Sequence, residues 1–172
     1  DIVLVETVGV GQREVDISRL CDTTCYVAQP GSGDSVQFLK AGILEVPHVL
    51  VVNKEDMGAV ARRTLAELEA ALAREHPDGQ WQVPVLATSA SQCSGIEALA
   101  DALERHRQHL QSSGRLAARR RGYQAHWIHK RLQDEFGSAG IERLGGELAL
   151  LEQMTAQERE PMEQYESLRQ RL

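Results

Sequence analysis

Asn53-Lys54-Glu55-Asp56 stands directly after the apolar run Val49-Leu50-Val51-Val52, and its side chains suit one base. Guanine presents two donors together, its ring N1–H and its exocyclic amine. One carboxylate accepts both as a fork, the role assigned to Asp56. The Asn53 amide can hold the loop and reach the other edge of the base. The aliphatic stem of Lys54 can lie over the ring. Adenine has neither donor and would leave the carboxylate unpaired, at a cost of about 1–3 kcal/mol or more. Ser89-Ala90-Ser91, at the tip of the next apolar run, supplies the second half. The Ala90 N–H can donate to the guanine O6, and a small side chain permits the approach. The plain alternative is a pair of polar turns, since both motifs are short and built of common residues.

A second chemical stretch is Asp1-Ile2-Val3-Leu4-Val5-Glu6-Thr7-Val8-Gly9-Val10-Gly11-Gln12. Its apolar run predicts a strand buried on both faces, as in a parallel sheet. Ligands of such sheets bind outside the carboxyl ends of the strands, which is where Glu6 and Gly9 fall. Gly9 lets backbone approach something bulky. A carboxylate beside such a loop suits Mg²⁺, which favours oxygen ligands and keeps several waters.

The elements that must position these residues follow from the pattern. Residues 14–20 read as a short helix or an ordered loop. Strands are predicted at 23–29, 48–52 and 83–87, the last with Pro84 marking an edge or a start. Helices are predicted at about 36–44, 59–74 and 95–110 by apolar spacing. Strands alternating with helices imply βαβ units and a parallel sheet. Beyond Ser112 no strand-like run remains. Three helices are predicted at 116–136, 141–151 and 156–172, with Thr155 and Glu158 as a capping box for the last. The division is therefore 1–111 and a helical extension, 112–172.

Composition narrows the class. The 172 residues are 42% hydrophobic and 26% charged, an ordinary globular balance, and the net charge of −6 argues against nucleic acid as a partner. No apolar run approaches the roughly 20 residues of a membrane span. Cys21, Cys25 and Cys93 read as reduced thiols of a cytoplasmic protein. The first residue is Asp1, inside a predicted core strand, and no Gly-x-x-x-x-Gly-Lys-Ser/Thr occurs. The expectation is the carboxyl portion of a longer chain.

The order Glu6 to Gln12, then Pro30-Gly31-Ser32-Gly33-Asp34 with Gln37, Lys40-Ala41-Gly42-Ile43 and Glu45, then Asn53-Lys54-Glu55-Asp56, closely resembles the MeaB/ArgK GTPases. These belong to the metallocentre-chaperone class of P-loop GTPases. The resemblance covers roughly residues 1 to 130. It implies an α/β GTPase domain, here a partial P-loop NTPase parallel sheet with flanking helices, followed by an all-helical carboxyl extension used for homodimerisation. It implies GTP and GDP binding with Mg²⁺, and service as a chaperone of an adenosylcobalamin-dependent acyl-CoA mutase, chiefly methylmalonyl-CoA mutase, gating cofactor loading.

Position by position, Asp1 looks like the Walker B acid holding Mg²⁺ through water. Glu6 and Gly9 look like the switch II Glu-x-x-Gly beside the γ-phosphate. Residues 30–40, with Gly31, Gly33, Asp34, Gln37 and Lys40, look like an additional switch loop read by the mutase. Asn53, Lys54 and Asp56 with Ser89, Ala90 and Ser91 look like the base-specificity loops. The phosphate-binding loop and switch I are absent, so this chain alone should bind nucleotide poorly. In Ras-type GTPases a glutamine after the switch II glycine orients the attacking water. Here that place is Val10, so slow intrinsic hydrolysis, accelerated by the partner, is expected.

Two alternatives remain. One is a metal-inserting GTPase chaperone, which usually carries a Cys/His site or a histidine-rich tail that this chain lacks. The other is a non-catalytic helical dimerisation or partner-binding fragment. A label of transport-system kinase also attaches to such sequences, without support here for amino-acid binding or a membrane address. His106 with His109, and His126 with His129, are read as solvated helix faces. Cys21 and Cys25 are read as small buried apolar residues, Arg115 to Arg121 as a solvated charge run, and Trp127 as a packing anchor.

Overall fold

A computed structural model of the chain describes residues 2–7, 20–31, 47–73, 81–157 and 159–172. The predicted 36–44 helix and nearly all of 14–20 lie outside them. Contacts divide the chain into two units, Asp1–Leu110 and Gln111–Leu172.

In the first unit three parallel strands lie in sequence order. They are β1 (Cys25–Ala28), β2 (Val49–Val52) and β3 (Val85–Ala87). Cys25 pairs with Val49 and Leu50 with Val85. All four β2 residues are buried, as expected of a parallel strand covered on both faces. The period of two divides them. Leu50 and Val52 join Ala28, Ala61, Leu68 and Leu72, so they face α1 (Ala59–Leu72). Val49 and Val51 join Ala102, with Leu99 and Leu103 packed alongside, so they face α2 (Ile96–Ser112). Burying a side chain such as Leu50 is worth about 1.5–3 kcal/mol. Pro84 precedes β3, where its carbonyl accepts the Leu50 N–H at 2.9 Å. A short 3₁₀ turn, Glu55–Met57, bridges β2 and α1.

The predicted first strand is corrected. Residues 2–7 carry no regular secondary structure, and Ile2, Val3 and Leu4 are 91%, 83% and 89% exposed. A buried parallel strand exists only between neighbours that accept its backbone hydrogen bonds. Among the described residues the sheet is β1-β2-β3, and no strand flanks residues 2–5.

The second unit is helical: α3 (Arg115–Arg143), α4 (Glu147–Ala156) and α5 (Pro161–Arg169). Its core holds Ile128, Leu132, Ile141, Leu150, Met154, Tyr165 and Leu168. Gly137, with φ 66° and ψ −173°, is non-helical and breaks α3 into two runs, inside the predicted break at 137–140; the second run ends at Arg143, so the predicted 141–151 helix is itself divided before α4. The predicted capping box is also corrected. Thr155 lies within α4 and its hydroxyl donates back to the carbonyls of Leu151 and Glu152 at 2.9 and 3.1 Å. The last helix starts instead at Pro161, whose missing N–H costs nothing in the first turn. Arg131 lies over both the Trp127 and Tyr165 rings, 5.6 and 4.9 Å from their centroids. Trp127 is 38% exposed and its ring lies 6.4 Å from that of Tyr165.

Candidate guanine-recognition site

β2 and β3 end side by side, and their exits are laced together by backbone. The Thr88 N–H donates to Val52 O at 2.9 Å, the Glu55 N–H to Thr88 O at 2.9 Å, and the Asn53 N–H to Ala28 O at 3.0 Å. Lys54 turns the chain with φ 60°, an uncommon left-handed conformation for a side-chain-bearing residue.

The side chains of the two loops then meet. The Asn53 Oδ1 accepts the Ala90 N–H at 3.2 Å and the Thr88 hydroxyl at 3.4 Å. With its oxygen so engaged, the amide NH₂ is the part of Asn53 able to reach a base. The buried Ser89 hydroxyl donates to Asp56 Oδ1 at 2.5 Å and lies 3.1 Å from Ser91 Oγ. Asp56 itself is exposed. A carboxylate offers about four lone-pair sites, so one bond from Ser89 orients it and leaves both oxygens able to accept. The Lys54 ammonium donates to Gln29 Oε1 at 3.0 Å, just beyond β1.

The structure therefore gathers Asn53, Lys54, Asp56, Ser89, Ala90 and Ser91 at one end of the sheet. Glu6 is an exposed carboxylate. Asp1, Gly9, Val10, Gly33, Asp34, Gln37 and Lys40 lie outside those residues. Gly31, with φ 75°, is described and exposed. Gln29, Thr88, Ser94 and Gly95 belong to the site and were not anticipated. Thr88 could have been suspected as the residue closing β3. The others are revealed only by distance.

At the opposite end of β2 the histidine reading is corrected. His106 is 1% exposed, its ring 4.3 Å from that of His48 and 4.9 Å from Trp81. Its Nδ1 lies 2.8 Å from the Thr23 hydroxyl. The Thr24 N–H donates to His48 Nδ1 at 3.0 Å, and the Trp81 indole N–H to His48 O at 2.7 Å. His129 is likewise buried, at 8%. Helical spacing alone could not tell these from a wet face, because the burying partners lie far away in sequence. Among the described residues no three His, Cys, Asp or Glu groups converge as metal ligands, and no helix is long and apolar enough to cross a membrane. Cys25 packs beside Val49 and Val51, and burial pushes its thiol up to about 11.

The family described as methylmalonyl Co-A mutase-associated GTPase MeaB matches residues 1–143. A Mycobacterium bovis protein named a probable GTPase is 40% identical over 137 residues, 78% of this chain and 41% of that protein. A Caenorhabditis briggsae protein named methylmalonic aciduria type A homolog, mitochondrial, is 36% identical over 138 residues, 78% of this chain and 34% of that one. The crystal structure of an LAO/AO transport system kinase superposes with a TM-score of 0.63 at 25% identity, covering 95% of this chain and 55% of the other. The chain thus spans well under half the length of the curated relatives named here. Its α/β unit is part of a P-loop NTPase sheet, and the chain belongs to the MeaB family of GTPases.

Proposed function

We propose that this chain carries the base-recognising part of a GTP-binding and GTP-hydrolysing chaperone of an adenosylcobalamin-dependent acyl-CoA mutase. One observation carries the reading. Asn53, Asp56, Ser89 and Ala90 form a single hydrogen-bonded patch at the carboxyl ends of two adjacent parallel strands, where ligands of such sheets bind. In the bound state the Asp56 carboxylate accepts the guanine N1–H and amine. The Ala90 N–H turns from Asn53 to the guanine O6, the Asn53 amide donates to N7, and Lys54 leaves Gln29 to cover the ring.

Of the ligands expected for Mg²⁺, only Glu6 is described, as an exposed carboxylate. A single carboxylate suits Mg²⁺ held mostly by water and phosphate oxygens. The metal would supply charge neutralisation at the phosphates. The mutase partner is suggested by the family description. The reading adds a cytoplasmic location and a homodimer formed through 112–172, which a light-scattering mass of one chain would refute.

The base preference is tested on this chain by saturation-transfer NMR titration with GDP and ADP, which reads weak binding. GDP should bind at least about tenfold more tightly, the worth of one hydrogen bond to a charged acceptor. Equal affinities would sink the proposal.

A further inference from the structure

The loop bearing Ser89 and Ala90 is closed at its far end by Ser94 and Gly95. The Ser89 N–H donates to Ser94 O at 3.0 Å and the Ser94 N–H to Ser89 O at 3.1 Å. The Ser94 hydroxyl also lies 3.4 Å from Glu55 Oε2, reaching the Asp56 loop. Gly95 follows with φ +72°, and a Cβ placed on it would sit 2.2 Å from the Ala87 carbonyl oxygen and 3.1 Å from the Thr88 Cα. Ala87 ends β3, and Thr88 is the residue hydrogen-bonded to both Val52 and Glu55. The Gly95 backbone therefore rests directly on the exit of β3, with no room for a methyl group. Its carbonyl accepts the Leu99 N–H at 3.1 Å in the first turn of α2.

A continuous restraint runs from this seat to the base patch. Gly95 holds Ser94 down, and the two-bond bridge fixes Ser89. The Ser89 hydroxyl then aims the Asp56 carboxylate at 2.5 Å, and the next residue presents the Ala90 N–H. We propose that Gly95 is a positioning residue for guanine. Its missing Cβ lets the loop clamp onto the strand end, and the clamp sets the carboxylate fork. This inference rests on the guanine reading above. A methyl group at this site must move from 2.2 Å to an ordinary contact of at least 3.4 Å. A displacement of that size misaligns a fork, because hydrogen bonds weaken steeply away from linearity.

Gly114 is the matched control. Its φ is +67°, and nothing lies within 4 Å of its would-be Cβ. Gly114→Ala bears the same backbone cost as Gly95→Ala without the collision. A second perturbation, one glycine inserted after Gln92, slackens the bridge while leaving Gly95 untouched, and surface loops accept such insertions.

The experiment titrates GDP and IDP into the wild-type chain and the three variants by saturation-transfer NMR, with circular dichroism as the check on folding. IDP lacks the exocyclic amine, so it loses one arm of the fork. Wild type and Gly114→Ala should prefer GDP by about tenfold. Gly95→Ala and the insertion should fall to within about twofold of equality. Wild-type selectivity retained in either folded loop variant overturns the inference alone. A wild-type chain that does not prefer GDP over ADP overturns the guanine reading, and this inference with it.

Discussion

Asp56→Asn probes the proposed fork most directly, and the structure sets the size and sign of the effect. Asp56 is exposed and Ser89 is fully buried, with its hydroxyl 2.5 Å from Asp56 Oδ1. An amide in place of the carboxylate keeps one acceptor oxygen. The Ser89 hydroxyl still needs an acceptor, so it draws that oxygen to its own side. The NH₂ is then turned to where the second carboxylate oxygen accepted the guanine amine. A donor now faces a donor. One hydrogen bond to a charged group disappears, worth about 1.5–3 kcal/mol, so GDP affinity should drop about 10- to 150-fold. Xanthine carries a carbonyl where guanine carries the amine, and that oxygen accepts from the new NH₂. XDP should therefore bind the variant more tightly than GDP does, reversing the wild-type order. Saturation-transfer titrations with GDP, XDP and ADP read all three affinities. Stability should change by no more than about 0.5 kcal/mol, as for an exposed site that retains its hydrogen bond, and a thermal melt checks it. A variant that still prefers GDP over XDP would refute the assignment of Asp56.

Thiol reactivity offers a test of the sheet. Burial pushes Cys25 to about 11 and raises Cys21, the latter with help from the Asp22 charge, whereas Cys93 is exposed. The thiolate is the reacting form, so iodoacetamide at neutral pH should label Cys93 first and Cys25 last by mass spectrometry. Equal labelling of Cys25 and Cys93 would contradict its place on β1, packed against Val49, Val51 and Ala102. In the helical unit, Tyr165 donates a hydrogen bond to Glu135, and Arg169 lies 3.1 Å from the same carboxylate. The Tyr165 bond first, then the Arg169 charge and bond with the Arg131 charge, hold Glu135 below the usual carboxylate range. A carboxyl lowered on folding adds stability above its unfolded value, about pH 4, and loses it as pH falls through the folded value. Glu135→Gln should thus lower the melting temperature at neutral pH and flatten its fall on acidification. An unchanged acid limb would refute that role.

Much of the first unit was legible in the sequence. The β2 run Val49–Val52 declared a doubly buried strand because every residue is apolar, and such strands occur in parallel sheets. Asn53-Lys54-Glu55-Asp56 was legible as a polar turn at a strand tip, because it follows an all-apolar run directly. α1 and α2 were readable from the spacing of Leu68 and Leu72, and of Leu99 and Leu103. These are local signals, fixed by the 2.0 and 3.6 periods of the backbone.

Tertiary structure decided what depends on distant partners. Ile2 to Val5 has the composition of a strand, but a strand is made by its neighbours, and here those residues stand exposed. His106 has the spacing of a surface residue, and only the arrival of His48, Trp81 and Thr23 buries it. Thr155 looked like a cap, yet its hydroxyl bonds back into its own helix. Gly95 was one glycine among 14. Its importance is a distance of 2.2 Å to the Ala87 carbonyl, which arises only when the loop folds back onto β3. The sequence determined which groups could recognise a base. The packing of β2 against β3 determined that they meet, because residues 33 or more apart share hydrogen bonds only when the sheet has brought their strands into register.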